Sequence, residues 1–268
     1  MKRVLAIFFL FSFKASIAQE LFVYTEPASN MAARSIGLRL NNFAMHDEDA
    51  DRVMYQLNPE IMWGASKNLM VHGELFMSNR DGKLAAEGGS IYTKYRVLSV
   101  DEVHSHFRMA VFGRYSFNSS NIHQPAIDFN GHNSGYEGGL VATKLVRKFA
   151  FSASSSVLYA NDNGDQEFFY GEKNRTAFGY TLSVGKLLLP SAYTSYQQTN
   201  MNLMLELLGQ TTAGNGHTYL DIAPSVQFIV YSRMRFDLGF RTPLVSTLQR
   251  SAPTGLLFRF EYNIFNLY

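Results

Sequence analysis

Apolar and polar residues alternate along most of the chain with a period of two rather than 3.6. Between Arg52 and Trp63 the odd positions read Val53, Tyr55, Leu57, Pro59, Ile61 and Trp63, while the even ones include Gln56, Asn58 and Glu60. From Leu69 to Met77 the odd positions are Leu69, Val71, Gly73, Leu75 and Met77, against His72 and Glu74. The segments "SHFRMAVFGRYSF" and "FRFEYNI" behave in the same way. Strict alternation predicts strands with one apolar and one polar face. About twelve such strands can be placed, near 33–43, 52–63, 68–79, 88–98, 105–117, 135–146, 149–161, 175–188, 199–210, 218–230, 234–242 and 254–266. Most are longer than the usual five or six residues and match the roughly 9–11 residues that a tilted strand needs to cross a bilayer.

The connections fall into two kinds. Longer polar loops follow the odd-numbered strands: "AMHDEDAD", "RDGKLAAEG", "NSSNIHQPAIDFNGHNS", "DNGDQEFFYGEKN", "TTAGNGH" and "PLVSTLQRSAP". Short turns ("GASK", "SVDEVH", "RK", "YSR") follow the even-numbered ones, except for "PSAYTSYQQ". The expected fold class is therefore all-β: one antiparallel transmembrane barrel of about twelve strands, with short periplasmic turns and longer external loops. Energy fixes which face looks out. If the strands were turned over, Arg39, Arg96, Arg108 and Arg259 would meet lipid at about 2–4 kcal/mol each near the midplane. That sum rivals the whole stability of a domain, about 5–15 kcal/mol, so the apolar set faces lipid. Two prolines, Pro59 and Pro224, then fall within strands on the lipid side. Proline donates no ladder hydrogen bond, so a bulge is expected at each. Lys186 also falls on the lipid face, near a strand end where it can snorkel.

Composition agrees. Among 268 residues, 14% are aromatic and 17% charged, the latter below the roughly 25% of soluble domains. A net charge of +2 gives no reason to expect nucleic acid. The absence of cysteine excludes disulfides, thiol catalysis and thiolate metal sites. Residues 1–18 combine a basic start, the apolar run "VLAIFFLFSF" and small residues at Ser16 and Ala18. They read as a signal peptide cleaved after Ala18. Residues 19–32 form an N-terminal segment in which Thr25 and Pro27 are placed to start a short helix. It is expected at the periplasmic mouth, in the lumen as a plug, or as a loose leader. Residues 33–268 form the barrel.

The signal peptide, the alternation and the aromatic C-terminal strand together resemble Gram-negative outer-membrane β-barrels. In that family the last strand carries an assembly signal read by the barrel-insertion machinery. The resemblance implies that role for Phe258, Phe260, Tyr262, Ile264 and Tyr268, with Asn266 departing from the pattern. It also implies an address in the outer membrane, with its lipid as a partner. More narrowly, "YQLNPEIMWGASKNLMVHGEL" and "MLELLGQ…LDIAPSVQFIV" look like outer-membrane transporters of the meta-pathway phenol degradation type. That likeness implies passive transport of small, apolar or aromatic molecules and defines no catalytic residue or cofactor.

The face opposite lipid holds His72, Glu74, Lys94, Arg96, Arg108, Arg114, Glu206, Asp221, Arg235, Asp237, Arg241, Arg259 and Glu261. These are candidate lumen and pathway residues. They line a substrate path, or they build an ion-pair network that fills a narrow barrel, and the two readings are compatible. Twelve strands lie between filled eight-stranded and open 16-stranded barrels. An enzyme is not expected: the His-Ser neighbours His104, Ser105 and His106 lie beside a short turn, the wrong end for a barrel lipid hydrolase. A metal site is not expected either, although His104 and His106 share a strand face and His123, Asp128 and His132 share the longest loop. Phe168, Phe169 and Tyr170 are loop aromatics that would receive a ligand, cover the mouth or join an interface girdle.

Overall fold

The computed structural model describes residues 22–47, 51–103, 105–168, 175–192, 195 and 197–267. Residues 1–18, Phe169, Tyr170, His104 and Tyr268 lie outside the described residues, and with them the signal peptide, two loop aromatics, one histidine and the last residue of the assembly signal. Twelve strands form a closed antiparallel barrel. They are β1 (Ser35–Asp47), β2 (Arg52–Gly64), β3 (Leu69–Ser78), β4 (Ala85–Glu102), β5 (Ser105–Asn118), β6 (Ser134–Val146), β7 (Phe149–Asn161), β8 (Thr176–Leu189), β9 (Asn200–Thr212), β10 (Thr218–Val230), β11 (Met234–Ser246) and β12 (Thr254–Ile264). Each strand pairs with its sequence neighbours. The barrel closes where β12 meets β1, from Ile36 opposite Ile264 to His46 opposite Thr254. Closure removes every sheet edge, so the ladder is satisfied within the chain, as lipid demands.

The alternation decides the facing of each strand. In β2, Met54, Gln56, Asn58, Glu60 and Met62 are buried, while Val53, Ile61 and Trp63 are exposed. In β12, Leu257, Arg259 and Glu261 are buried, and Leu256, Phe258 and Ile264 are exposed. A one-residue slip would exchange these sets. Arg108 is 8% exposed and Val111 is 38% exposed in the middle of β5. Arg108→Leu is therefore expected to assemble normally. Val111→Arg carries about 2–4 kcal/mol into the lipid face and should reduce the folded fraction sharply. Heat-modifiable mobility of the protein refolded into vesicles measures both. Equal folding of the two variants would overturn the assignment of faces.

Two expectations are corrected. No bulge forms at Pro59: the β2–β3 register is the same on both sides of it, from Leu57 opposite Met77 to Glu60 opposite Glu74. Asn58 and Pro59 simply drop out of the ladder to β3, while Pro59 stays opposite Leu40 on the β1 side. Pro224 behaves alike: it stays opposite Leu205 in β9, and Ala223 and Pro224 are missing from the ladder to β11. The β10–β11 register does shift, but between Leu220 and Asp221. A strand residue directs its N–H to one neighbour only, so one proline removes one bond and need not displace the register. The second correction concerns residues 22–32. No helix starts at Thr25, and among the described residues there is no helix at all. The N–H groups of Val23, Tyr24 and Thr25 are taken by one side chain of the barrel wall instead.

Strands β1, β4 and β11 run farther toward the long-loop or short-turn ends than alternation alone predicts, to Asp47, Glu102 and Ser246. Pairing with a neighbour extends them through residues that interrupt the alternation, such as His46 opposite Val53 and Val245 opposite Leu220.

Candidate functional site: a charged lumen crossed by two inserted segments

Residues 22–32 lie inside the barrel, and side chains from eight strands bind them. The central contact is Glu206 of β9, which is fully buried. Its Oε1 accepts hydrogen bonds from the backbone N–H of Val23 and of Tyr24, each 2.9 Å. Its Oε2 accepts from the Thr25 N–H at 2.9 Å and from the Thr25 hydroxyl at 2.7 Å. Thr25 also meets Ser183 of β8, Ala28 N–H donates to Thr143 of β6, and the Arg108 guanidinium of β5 donates to Ser29. Arg235 of β11 donates to the Phe22 carbonyl, and Lys94 of β4 donates to the Pro27 carbonyl at 2.6 Å. Met31 N–H reaches the Met70 sulfur of β3.

Small residues on the wall make room for this segment. A Cβ on Gly64 would stand 2.1 Å from the Ala32 carbonyl oxygen, and one on Gly239 would stand 2.7 Å from the Tyr24 ring. Apolar side chains of the segment also find partners. Phe22 and Val23 pack with Ala150, Met204 and Leu257; Ala28 packs with Ala110 and Val141; Met31 packs with Met62 and Met70.

Above the segment lies a net of ion pairs. Arg39 of β1 is its hub, with Nε 2.9 Å from Glu261 and one terminal nitrogen 3.1 Å from both Glu60 and Glu26. Three carboxylates from β12, β2 and the inserted segment thus share one guanidinium. Around it, His72 Nδ1 lies 2.5 Å from Glu60. Lys94 lies 3.4 Å from Glu26. Arg235 pairs with Asp237 at 2.8 Å and with Glu261 at 3.6 Å. Arg259 donates to Asn41 and pairs with Asp237. Burial pushes the Glu26 carboxyl up, but Lys94 and then Arg39 outweigh it and hold the group well below the usual carboxylate range. Glu26 is therefore an anion in this setting, and it ties the segment to the hub.

The long loop between β5 and β6, residues 119–133, also enters the barrel. Gln210 of β9 clamps it: its amide oxygen accepts from Ile127 N–H and its amide nitrogen donates to the Ile127 carbonyl. Asn58 donates to the Asn130 carbonyl, Arg80 and Asn118 donate to the Gly131 carbonyl, and Ser251 donates to Gln124. Ile127 and Phe129 pack with Leu158, Ala160, Phe168 and Ala177. Burial, and then the nearby Arg80 cation, press His132 down to a pKa of about 3, so it is neutral where it sits beside Asp128. A second inserted group is Arg250, from the loop after β11. It pairs with Asp221 beside Arg241 and stacks 3.9 Å over the Tyr219 ring. Between the two inserted segments remains a cavity of about 310 Å³. Its wall includes the charged net on one side, and Ser154, Ser156, Thr181 and Leu208 on the other.

The sequence-predicted lumen residues are placed as follows. His72, Lys94, Arg108, Glu206, Asp221, Arg235, Asp237, Arg259 and Glu261 are buried inside the barrel. Glu74, Arg114 and Arg241 are half-buried at the cavity wall. Glu74 accepts from Asn58, and Arg114 lies 3.7 Å from Glu137. Arg96 stands apart at the short-turn rim, where it donates to Asn68. Glu60 was legible on the polar face of β2 but was not among the candidates. Glu26 and Arg250 carried no periodic signal, because they belong to connections. The histidines do not converge: His106 lies 2.7 Å from Asp101, His123 lies 3.4 Å from Asp81, and the neutral His132 lies 3.8 Å from Asp128. Among the described residues no group of three metal-ligating side chains forms.

A closed twelve-stranded antiparallel barrel with an apolar outer face is the architecture of outer-membrane β-barrels. Solved structures agree. The chain is similar to the COG4313 outer membrane channel from Pseudomonas putida F1, with TM-score 0.56, 10% identity, and coverage of 88% of this chain and 97% of that one. It is similar to the NanC porin, with TM-score 0.50, 8% identity, and coverage of 87% and 100%. No protein-family model and no curated protein sequence matches the chain.

Proposed function

We propose that the protein is an outer-membrane channel for the passive passage of small molecules, held shut at rest by its own N-terminal segment. The observation that carries this reading is the manner in which residues 22–32 are held. They are bound by polar and apolar side chains of the wall and take part in no strand ladder, so they can leave without breaking the barrel. The cavity of about 310 Å³ is at the low end of the size of small-molecule sites, about 300–1,000 Å³. The phenol-degradation-type resemblance suggests small apolar or aromatic cargo. Export by a signal peptide cleaved after Ala18, and assembly through the C-terminal strand, belong to the same proposal.

A non-conducting structural barrel is the second reading, favoured by the density of ion pairs around Arg39. Planar-bilayer recordings separate the two. The full-length barrel should show low or rare conductance, and a variant lacking residues 22–31 should conduct several-fold more. Silence from both forms, together with no liposome swelling, would sink the channel reading.

A further inference from the structure

We propose that the outer face of β6, β7 and β8 at the short-turn end binds the phosphate-bearing headgroup of an anionic glycerophospholipid. The register assembles the site. Phe107 of β5, Lys144 of β6 and Phe151 of β7 lie side by side in one row. One step nearer the short turns, Val146, Phe149 and Lys186 form a second row. All point away from the lumen, since their sequence neighbours Thr143, Ala150 and Ser152 are buried. Lys144 Nζ lies 6.0 Å from the Phe107 ring centroid, and Lys186 Nζ lies 5.1 Å from that of Phe149. Phe149 and Phe151 stack at 6.3 Å with 15° between their planes. The two ammonium groups therefore rise from either side of an aromatic pair. The Cα positions of the two lysines are two strands and two residues apart, about 12 Å at the usual spacings. Both side chains are long enough to reach one phosphate diester held over the aromatic pair.

Charge on the short-turn half of the outer faces of β6, β7 and β8 is of one sign. Arg147 and Lys148 follow in the β6–β7 turn. Lys148 is occupied by the carbonyls of Pro190 and Ser191, which leaves Lys144, Arg147 and Lys186 for a ligand. The described strands β5 to β8 contain a single carboxylate, Glu137. It lies against Arg114 at the cavity wall and cannot neutralise the outer face. The nearest outer-face carboxylate, Glu102, lies in the Val146 row but on β4, two strands from β6, so the three cations outnumber it and favour an anionic headgroup over a zwitterionic one. The acyl part also has a place. Ala142 and Ala153 lie opposite one another, between Met109 and Leu182, directly beyond the Lys144 row. Two methyl side chains between two long ones leave a shallow notch that runs from the lysines toward the barrel midplane. With the short turns toward the periplasm, the leaflet at this rim is the phospholipid one.

Native mass spectrometry of the full-length barrel in detergent tests the site. Phosphatidylglycerol should be retained in preference to phosphatidylcholine. Each basic residue near a membrane surface contributes about fivefold in affinity, so the Lys144→Gln/Lys186→Gln variant should retain phosphatidylglycerol about thirtyfold less. Lys67→Gln, on another short turn, should match the parent protein, and Lys144→Arg/Lys186→Arg should keep binding. The folded state of each variant is checked by heat-modifiable mobility. The phosphatidylglycerol-to-phosphatidylcholine comparison on the parent protein needs no variant at all. Equal retention of the two lipids, or equal loss in the Lys67→Gln protein, would overturn the proposal. Two further arms separate the sources of phosphate. Full competition by inorganic phosphate would reduce the site to a free-anion site, and preference for lipopolysaccharide through the same lysines would place it in the opposite leaflet. Either result overturns the assignment to glycerophospholipid.

Discussion

Glu206→Gln is expected to release the N-terminal segment while leaving the barrel intact. The carboxylate accepts four hydrogen bonds, two on each oxygen. Glutamine has nearly the same shape but keeps one acceptor oxygen. Its NH2 would face the donors that the other oxygen served, so two bonds are lost and donors oppose one another. Hydrogen bonds to a charged group contribute about 1.5–3 kcal/mol each, which puts the loss of two near 3–6 kcal/mol. That is about two to four powers of ten in the docking equilibrium. Two readouts follow. Conductance in planar bilayers should rise toward that of the variant lacking residues 22–31. A cysteine introduced as Ser29→Cys, in a chain without native cysteine, should react with a bulky maleimide much faster in the Glu206→Gln background. Unchanged labelling and unchanged conductance would show that Glu206 does not hold the segment.

The second large effect is expected at Arg39, and it is an effect on stability. Arg39→Ala strands Glu26, Glu60 and Glu261, which meet at that guanidinium. Breaking a buried ion pair on one side typically costs about 3–5 kcal/mol, because the surviving charge stays desolvated. Lys94, His72 and Arg235 remain beside the three carboxylates, so the lower end, about 3 kcal/mol, is expected. The denaturation midpoint of the detergent-folded barrel measures it. Adding Glu60→Gln should recover part of the loss, which a purely steric role for Arg39 would not allow. The exposed pair Arg175–Asp162 is the contrast: its side chains are 33% and 43% exposed, and Arg175→Ala should change stability by less than about 1 kcal/mol. If Arg39→Ala were equally mild, the net of charges would not be holding the lumen together.

The barrel itself was legible because its signal repeats. Each strand states its own facing by alternation, and lipid enforces it residue by residue at a high cost per error. Charged candidates such as Glu206, Asp237 and Glu261 were readable for the same reason: a charge on the face opposite lipid has to be inside. Pro59 and Pro224 show the limit of that logic. Each was readable as a missing donor, but whether the ladder shifts or simply skips a bond depends on which neighbour the absent N–H would have served, and that is a property of the pair of strands.

What joins the charges was not readable. Arg39 and Glu261 are 222 positions apart and touch because β12 closes onto β1. Gln210 and Ile127 are 83 positions apart and touch because a loop turns inward. The sequence by itself determined the twelve amphipathic strands, their facing and the polar character of the lumen, since these follow from local alternation and the cost of charge in lipid. Only the tertiary structure decided that residues 22–32 and 119–133 enter the lumen, and that Glu206 and Arg39 bind what enters. Segments without periodicity carry no facing of their own. They go where buried N–H groups and carboxylates from distant strands find one another, and that meeting exists only once the barrel has closed.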